Sequence, residues 1–268
     1  MTTLTDPPHP ISPMTQFVDL LRSEYCKLRS VRSTLWTLLS AVVANIGLAA
    51  LLAVVLPGRL SADDAAHVDP VQISLVGIHL AQIAFPVLGV LVISSEYGSG
   101  MIRASVAAVP QRRSLLAAKV VVYAASALVV GIGSSFAGYF TFQEFLTGDA
   151  LRSSISDPGV LRAVIGGGLF LTVLGLLGLG LGATLRSSTG AIATVLGLLF
   201  VPSILVNVLP RSWNTAISPY LPMQAGDQIY LAHPVPGGLG PWVGFAVFSL
   251  YAALALAAGF TLIARRDA

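Results

Sequence analysis

The sequence predicts an all-α membrane protein: six transmembrane helices behind an N-terminal amphipathic interfacial helix, with both termini on the inner side. Three observations carry this. Of 268 residues, 55% are hydrophobic and only 10% are charged, against about 25% charged in an average soluble domain. The mean hydropathy is +0.82. Apolar runs long enough to cross about 30 Å of hydrocarbon, which takes about 20 helical residues, recur six times along the chain. A water-soluble enzyme or binding module of this length needs more polar surface. A disordered chain would not carry so much apolar area.

Residues 1–13 are polar and Pro-rich and read as a disordered cytoplasmic tail. No cleaved signal peptide is expected. The first long apolar run starts near Thr34, which is late for a signal and too long for its apolar core. Residues 14–33 form a separate element. Met14, Phe17, Val18, Leu21, Tyr25 and Leu28 recur at three- and four-residue spacing and share one helical stripe. Asp19, Arg22, Cys26, Lys27, Arg29 and Ser30 fill the other side. A basic amphipathic helix running straight into a span is expected to lie flat among lipid headgroups. The alternative is a helix docked on a partner.

The transmembrane domain, 34–268, holds apolar runs at 34–56, 71–94, 115–140, 161–185, 190–209 and 241–264. With these bounds none contains an acidic residue. Lys119 and Arg162 fall near span ends, where long basic side chains can snorkel to water. Residues 186–190 make a tight hairpin, while the connections 141–160 and 210–240 are long. Basic residues set the orientation. With the N-terminus inside, the outer segments carry only Arg59, Arg152, Arg162 and Arg211 of the fifteen Lys and Arg residues. The other eleven lie inside, including Arg265 and Arg266 near the C-terminus.

Within the spans, Pro86 and Pro202 should introduce kinks. The fourth run is glycine-rich, and Gly178 and Gly182 form a G-x-x-x-G pair. Small faces let helices approach closely, either within one subunit or at a dimer seam. Asn45, Gln72, His79, Gln82 and Asn207 are polar residues in or near hydrocarbon. They read as interhelical hydrogen-bonding groups. Alternatively Gln72, His79 and Gln82, seven and three residues apart on one helical face, line a substrate path. Burial would keep His79 neutral there.

The exclusions are as informative. A net charge of +3, dispersed along the chain, gives no nucleic-acid footprint. The lone Cys26 rules out an internal disulfide and a thiol metal cluster. No H-E-x-x-H or G-x-S-x-G motif occurs. Neither lysine, Lys27 or Lys119, belongs to a phosphate-binding loop. No catalytic residue, metal site or cofactor is expected in this chain. The halves show no internal repeat of the kind many secondary carriers have. No acidic residue sits mid-span to couple ions.

The segment from Ser94 to Lys119 reads SSEYGSGMIRASVAAVPQRRSLLAAK. Glu96 closes the second span, and Gly98 and Gly100 allow a sharp turn. A short surface helix with Arg103 then runs to Pro110, before the basic pair Arg112 and Arg113. This is either a charged loop obeying the orientation rule or a docking element for a cytoplasmic protein.

That order of features resembles the permease subunits of type-2 ABC exporters. The opening SEYCKLRSVRSTLWTLL resembles actinobacterial members, and ISPYLPMQAGDQIY resembles their outer region before the last span. Glu96, Gly98, Gly100 and Arg103 match the family's loop, and Pro219, Pro222 and Gly226 its outer stretch. The resemblance implies a multi-pass protein of a bacterial plasma membrane that pairs with a second permease copy or a paralogue. It implies docking of a separate ATP-binding-cassette ATPase, which would bind ATP and magnesium. Residues 14–33 would be the elbow helix, 98–110 the coupling helix, and 210–240 a cap that partly re-enters the membrane. A secondary carrier, or a non-transporting membrane protein that binds a partner, are the other readings.

Overall fold

The computed structural model of the chain describes residues 13–60, 68–98, 112–149, 151–235 and 237–265. Every regular element among them is helical. An N-terminal helix, Pro13–Ser30, ends one residue before the first span, Arg32–Val55; between them Val31 is extended at φ −79° and ψ 98°. The later spans are Ile78–Gly98, Arg112–Phe145, Val160–Leu185, Ser188–Leu205 and Pro241–Arg265. All six are long and apolar enough to cross a membrane.

The fourth span is the pillar. It packs against the second, third and sixth spans. Of its most apolar window 78% is buried, against 22% for the first and fifth spans. The outer spans keep apolar side chains exposed, among them Leu39, Val43 and Leu51 on the first and Leu250 and Leu254 on the sixth. Those faces fit hydrocarbon. Trp36 is exposed at the end carrying both termini, and Trp213, Tyr220 and Trp242 at the far end. Aromatic rings at both levels match the two membrane–water boundaries.

The second span departs from its expected bounds at both ends. It starts at Ile78 rather than 71, because Pro70–Ser74 is a separate short helix. Asp69 caps that helix, accepting from the backbone N–H of Val71 at 2.9 Å and Gln72 at 3.4 Å. The chain then turns at residues 75–77 so that Gly77 lies directly against Asn45 of the first span. Asn45 Nδ2 reaches on to the third span, donating to the Ser134 carbonyl at 2.9 Å and its hydroxyl at 3.0 Å. At its other end the helix continues through Glu96 to Gly98, so an acidic residue lies inside a span helix after all.

The third span has 34 residues, about 51 Å at 1.5 Å per residue. It outruns the hydrocarbon, and the connection after it folds back on its far end. Tyr139 donates to the Ser153 carbonyl at 2.8 Å, and Gln143 Nε2 donates to the Ser153 hydroxyl at 2.8 Å. The long segment before the sixth span dips inward in the same way. Ile229 and Tyr230 are 0% and 2% exposed. Tyr230 packs at 5.2 Å on Phe170, which lies ten residues, about 15 Å, along the fourth span.

Candidate functional site

The N-terminal helix lies on the first turns of the third span. Leu20 packs with Leu115 and Ala118, and Phe17, Leu21 and Tyr97 close around them. One turn beyond Leu20 the same face presents a carboxylate, Glu24, only 4% exposed. Lys119 of the third span, 2% exposed, points at it. Its Nζ donates to Glu24 Oε2 and to Glu96 Oε1, both at 2.7 Å. Lys27 Nζ completes the square, donating to Glu24 Oε1 at 2.7 Å and Glu96 Oε1 at 3.1 Å. Two carboxylates and two ammonium groups alternate, so the buried cluster is neutral as a whole. Lys27 keeps about a third of its side chain in solvent. Its partial burial works to lower its pKa, and the Glu24 and Glu96 carboxylates outweigh this and hold it above the usual lysine value.

A second pair of contacts fixes the hairpin between the fourth and fifth spans to the same place. Ser188 donates its hydroxyl to Ser94 at 2.8 Å. The Arg186 guanidinium stacks 5.2 Å above the Tyr97 ring. Arg186 closes the fourth helix at φ 55°, a left-handed conformation that favours glycine. Three residues within one turn, Ser94, Glu96 and Tyr97, therefore join the N-terminal helix, the third span and this hairpin to the end of the second span. The site borders both flanks of the segment 99–111.

The far end holds a second polar assembly. Arg162 does not snorkel. Its guanidinium donates to the carbonyls of Gln228, Ile229, Leu231 and Ala232 at 2.9–3.3 Å, clamping the inward-dipping segment to the start of the fourth span. His233 Nδ1 lies 3.3 Å from Asp69 Oδ2, and Tyr230 donates to Asp227 Oδ1 at 2.9 Å. Burial pushes the Asp227 carboxyl up to about 6, against the downward pull of the Tyr230 hydroxyl and of His79. The folded chain therefore holds a proton at Asp227 that an unfolded carboxyl, near 3.9, has already released. The stability tied to this proton is complete below about pH 4 and is lost as pH rises through about 6. Asp227→Asn is expected to be more stable than wild type at pH 7.5, and that advantage should vanish toward pH 4. Paired thermal melts in detergent check this, and a pH-independent difference would refute it.

The expected site residues fare differently. Glu96 sits in the cluster, and Gly98 is the last residue of the second span helix. Gly100 and Arg103, with the expected coupling helix 98–110 beyond Gly98, lie outside the described residues. Gln72, His79 and Gln82 do not share a helical face, because the turn at 75–77 separates Gln72 from the span. Gln72 and His79 are exposed, not buried, and only Gln82 is buried. His79 Nδ1 contacts the Val76 carbonyl of its own turn at 3.1 Å. Lys119 does not snorkel either, since its ammonium is enclosed. The sequence reading missed Glu24. The signal was there: Glu24 lies four residues after Leu20 and four before Leu28, a carboxylate set into an apolar stripe. No protein-family model matches the chain, and no curated protein matches it.

Proposed function

We propose that this chain is the membrane-spanning permease subunit of an ATP-powered exporter. In this reading it works in a bacterial plasma membrane, paired with a second permease and driven by a separate ATPase. The observation that carries the reading is the buried Glu24–Lys119–Glu96–Lys27 cluster. A chain driven by an external motor needs a rigid link between its contact loop and several spans. Here the ends of the second and third spans, which flank the loop, are tied to each other and to the N-terminal helix by charge-assisted hydrogen bonds. A push on that loop would move them as one body. The resemblance in the loop itself, Glu96 through Arg103, supports the same reading.

A buried ionisable cluster also bears on the secondary-carrier reading. Its position argues against it. Carrier coupling sites lie near the bilayer midplane. Glu96 is two residues from the end of its helix, Lys119 is seven from the start of its own, and Glu24 is on no span at all.

The test is co-expression with the genes that neighbour this one, followed by purification in nanodiscs. A stoichiometric ATPase should co-purify, and its turnover should depend on the permease. Arg103→Ala is expected to lower that dependence severalfold while leaving the permease's melting temperature unchanged. Transport that collapses with the proton gradient, with no ATPase bound, would refute the reading.

A further inference from the structure

The N-terminal helix has three faces, and only one is explained by the contacts above. Leu20 and Glu24, with Phe17, Leu21 and Lys27 beside them, face the protein. The cluster at Glu24 and Lys27 locks the helix against rotation about its own axis, so the directions of its other faces are fixed. Met14, Val18 and Tyr25 form a neighbouring row, 78%, 38% and 52% exposed. Exposed apolar side chains continue from it onto the first span at Leu35, Trp36 and Leu39. This row lies on the lipid side. Each of the helix's two arginines, both exposed, stands four residues after a member of it: Arg22 after Val18, Arg29 after Tyr25. A four-residue step turns a helix by only about 40°. Both guanidinium groups thus border the lipid row on its water side, seven residues apart on one line. Arg22 makes one long contact of 3.9 Å to Asp19, and both partners are mostly exposed.

We infer that Arg22 and Arg29 form a binding surface for the phosphate groups of anionic phospholipids, in the leaflet at the end carrying both termini. The chemistry is complementary on each count. An apolar row enters the acyl boundary, aromatic Tyr25 and Trp36 sit at its edge, and two guanidinium groups stand at phosphate level, where Arg matches phosphate oxygens bidentately. The row is continuous with the faces of the first span that fit hydrocarbon. This inference rests on the membrane-spanning fold and not on the exporter reading. The helix carries Glu24, so lipid held on one face bears directly on the charge cluster held by the other.

The test uses the purified full chain without any ATPase. Its thermal unfolding in neutral detergent is followed while phosphatidylglycerol, phosphatidylcholine or inorganic phosphate is titrated in. Phosphatidylglycerol should stabilise at lower concentration than phosphatidylcholine, and inorganic phosphate should do nothing comparable. In the double variant Arg22→Gln, Arg29→Gln, the half-saturating phosphatidylglycerol concentration should rise by about fivefold per arginine removed, with the phosphatidylcholine titration unchanged. Both side chains are exposed, so the double variant is expected to fold. Asp19→Asn should not weaken the phosphatidylglycerol effect. Equal titrations by the two lipids, a phosphate effect equal to that of phosphatidylglycerol, or an unaltered phosphatidylglycerol titration in the double variant would each overturn the inference.

Discussion

Lys119→Met is expected to destabilise the folded chain by about 3–5 kcal/mol, the usual cost of breaking a buried ion pair from one side. Methionine is close to lysine in length and leaves little cavity, so the effect isolates the charge. Without the ammonium group, Glu24 and Glu96 face each other while 4% and 6% exposed. Lys27, the cluster's second cation, is partly in water. One carboxylate must then take up a proton or draw water into the site. The remedy identifies the cause. Adding Glu24→Gln and Glu96→Gln to Lys119→Met removes both buried carboxylates and leaves only the partly hydrated Lys27 charged, so most of the lost stability should return, because uncharged groups of similar volume are often as stable as a buried ion pair. Thermal melts of the single and triple variants in detergent give the comparison. A Lys119→Met chain within about 1 kcal/mol of wild type, the range of an exposed ion pair, would mean that the cluster is hydrated and holds nothing together.

The cluster also shows where sequence reasoning stops. The length of the apolar runs found the six spans, because about 20 consecutive apolar residues leave little choice of structure. Charge placement found Glu96 as a residue worth watching. Neither could show that Glu24, Lys27 and Lys119 converge on it, since the contact between Glu24 and Lys119 joins residues 95 apart in the chain. Lys119 and Arg162 were read by one rule, that basic residues near span ends reach for water. Both instead found partners inside the protein, and the rule cannot see partners. Gln72 and His79 failed for a different reason. A seven-residue spacing implies a shared face only if the helix is continuous, and the break at 75–77 depends on Gly77 meeting Asn45 of another helix. The glycines of the fourth span were legible as small-residue packing, though not as to whether they serve one subunit or two.

The structure answers that last question within the chain, and the answer makes a sharp prediction. Gly178→Ala should cost about 1–3 kcal/mol, the usual penalty for overpacking, and Gly178→Leu should prevent normal folding. A Cβ at Gly178 would land on the carbonyl oxygen of Pro86 in the second span, and one at Gly89 on the carbonyl oxygen of Gly175. The two helices thus touch backbone to backbone. A rotamer change cannot relieve such a contact, so the spans must separate. Separation carries a second loss. Tyr123 of the third span reaches across Gly175 to donate to the Phe85 carbonyl at 2.7 Å. Pro86 has no N–H of its own to give the preceding turn, so that turn is already short of one hydrogen bond. Between helices in lipid no hydrophobic gain offsets these losses, because association there rests on close packing and hydrogen bonds. Gly133 of the third span is the control. Nothing lies within 4 Å of where its Cβ would stand, so Gly133→Ala should be neutral or gain up to about 1 kcal/mol of helix propensity. Melting temperatures of the two alanine variants in the same detergent decide the matter. If Gly178→Ala were as benign as Gly133→Ala, the fourth span would not be packed backbone to backbone on the second. Its glycine face would then be free to serve a dimer seam instead.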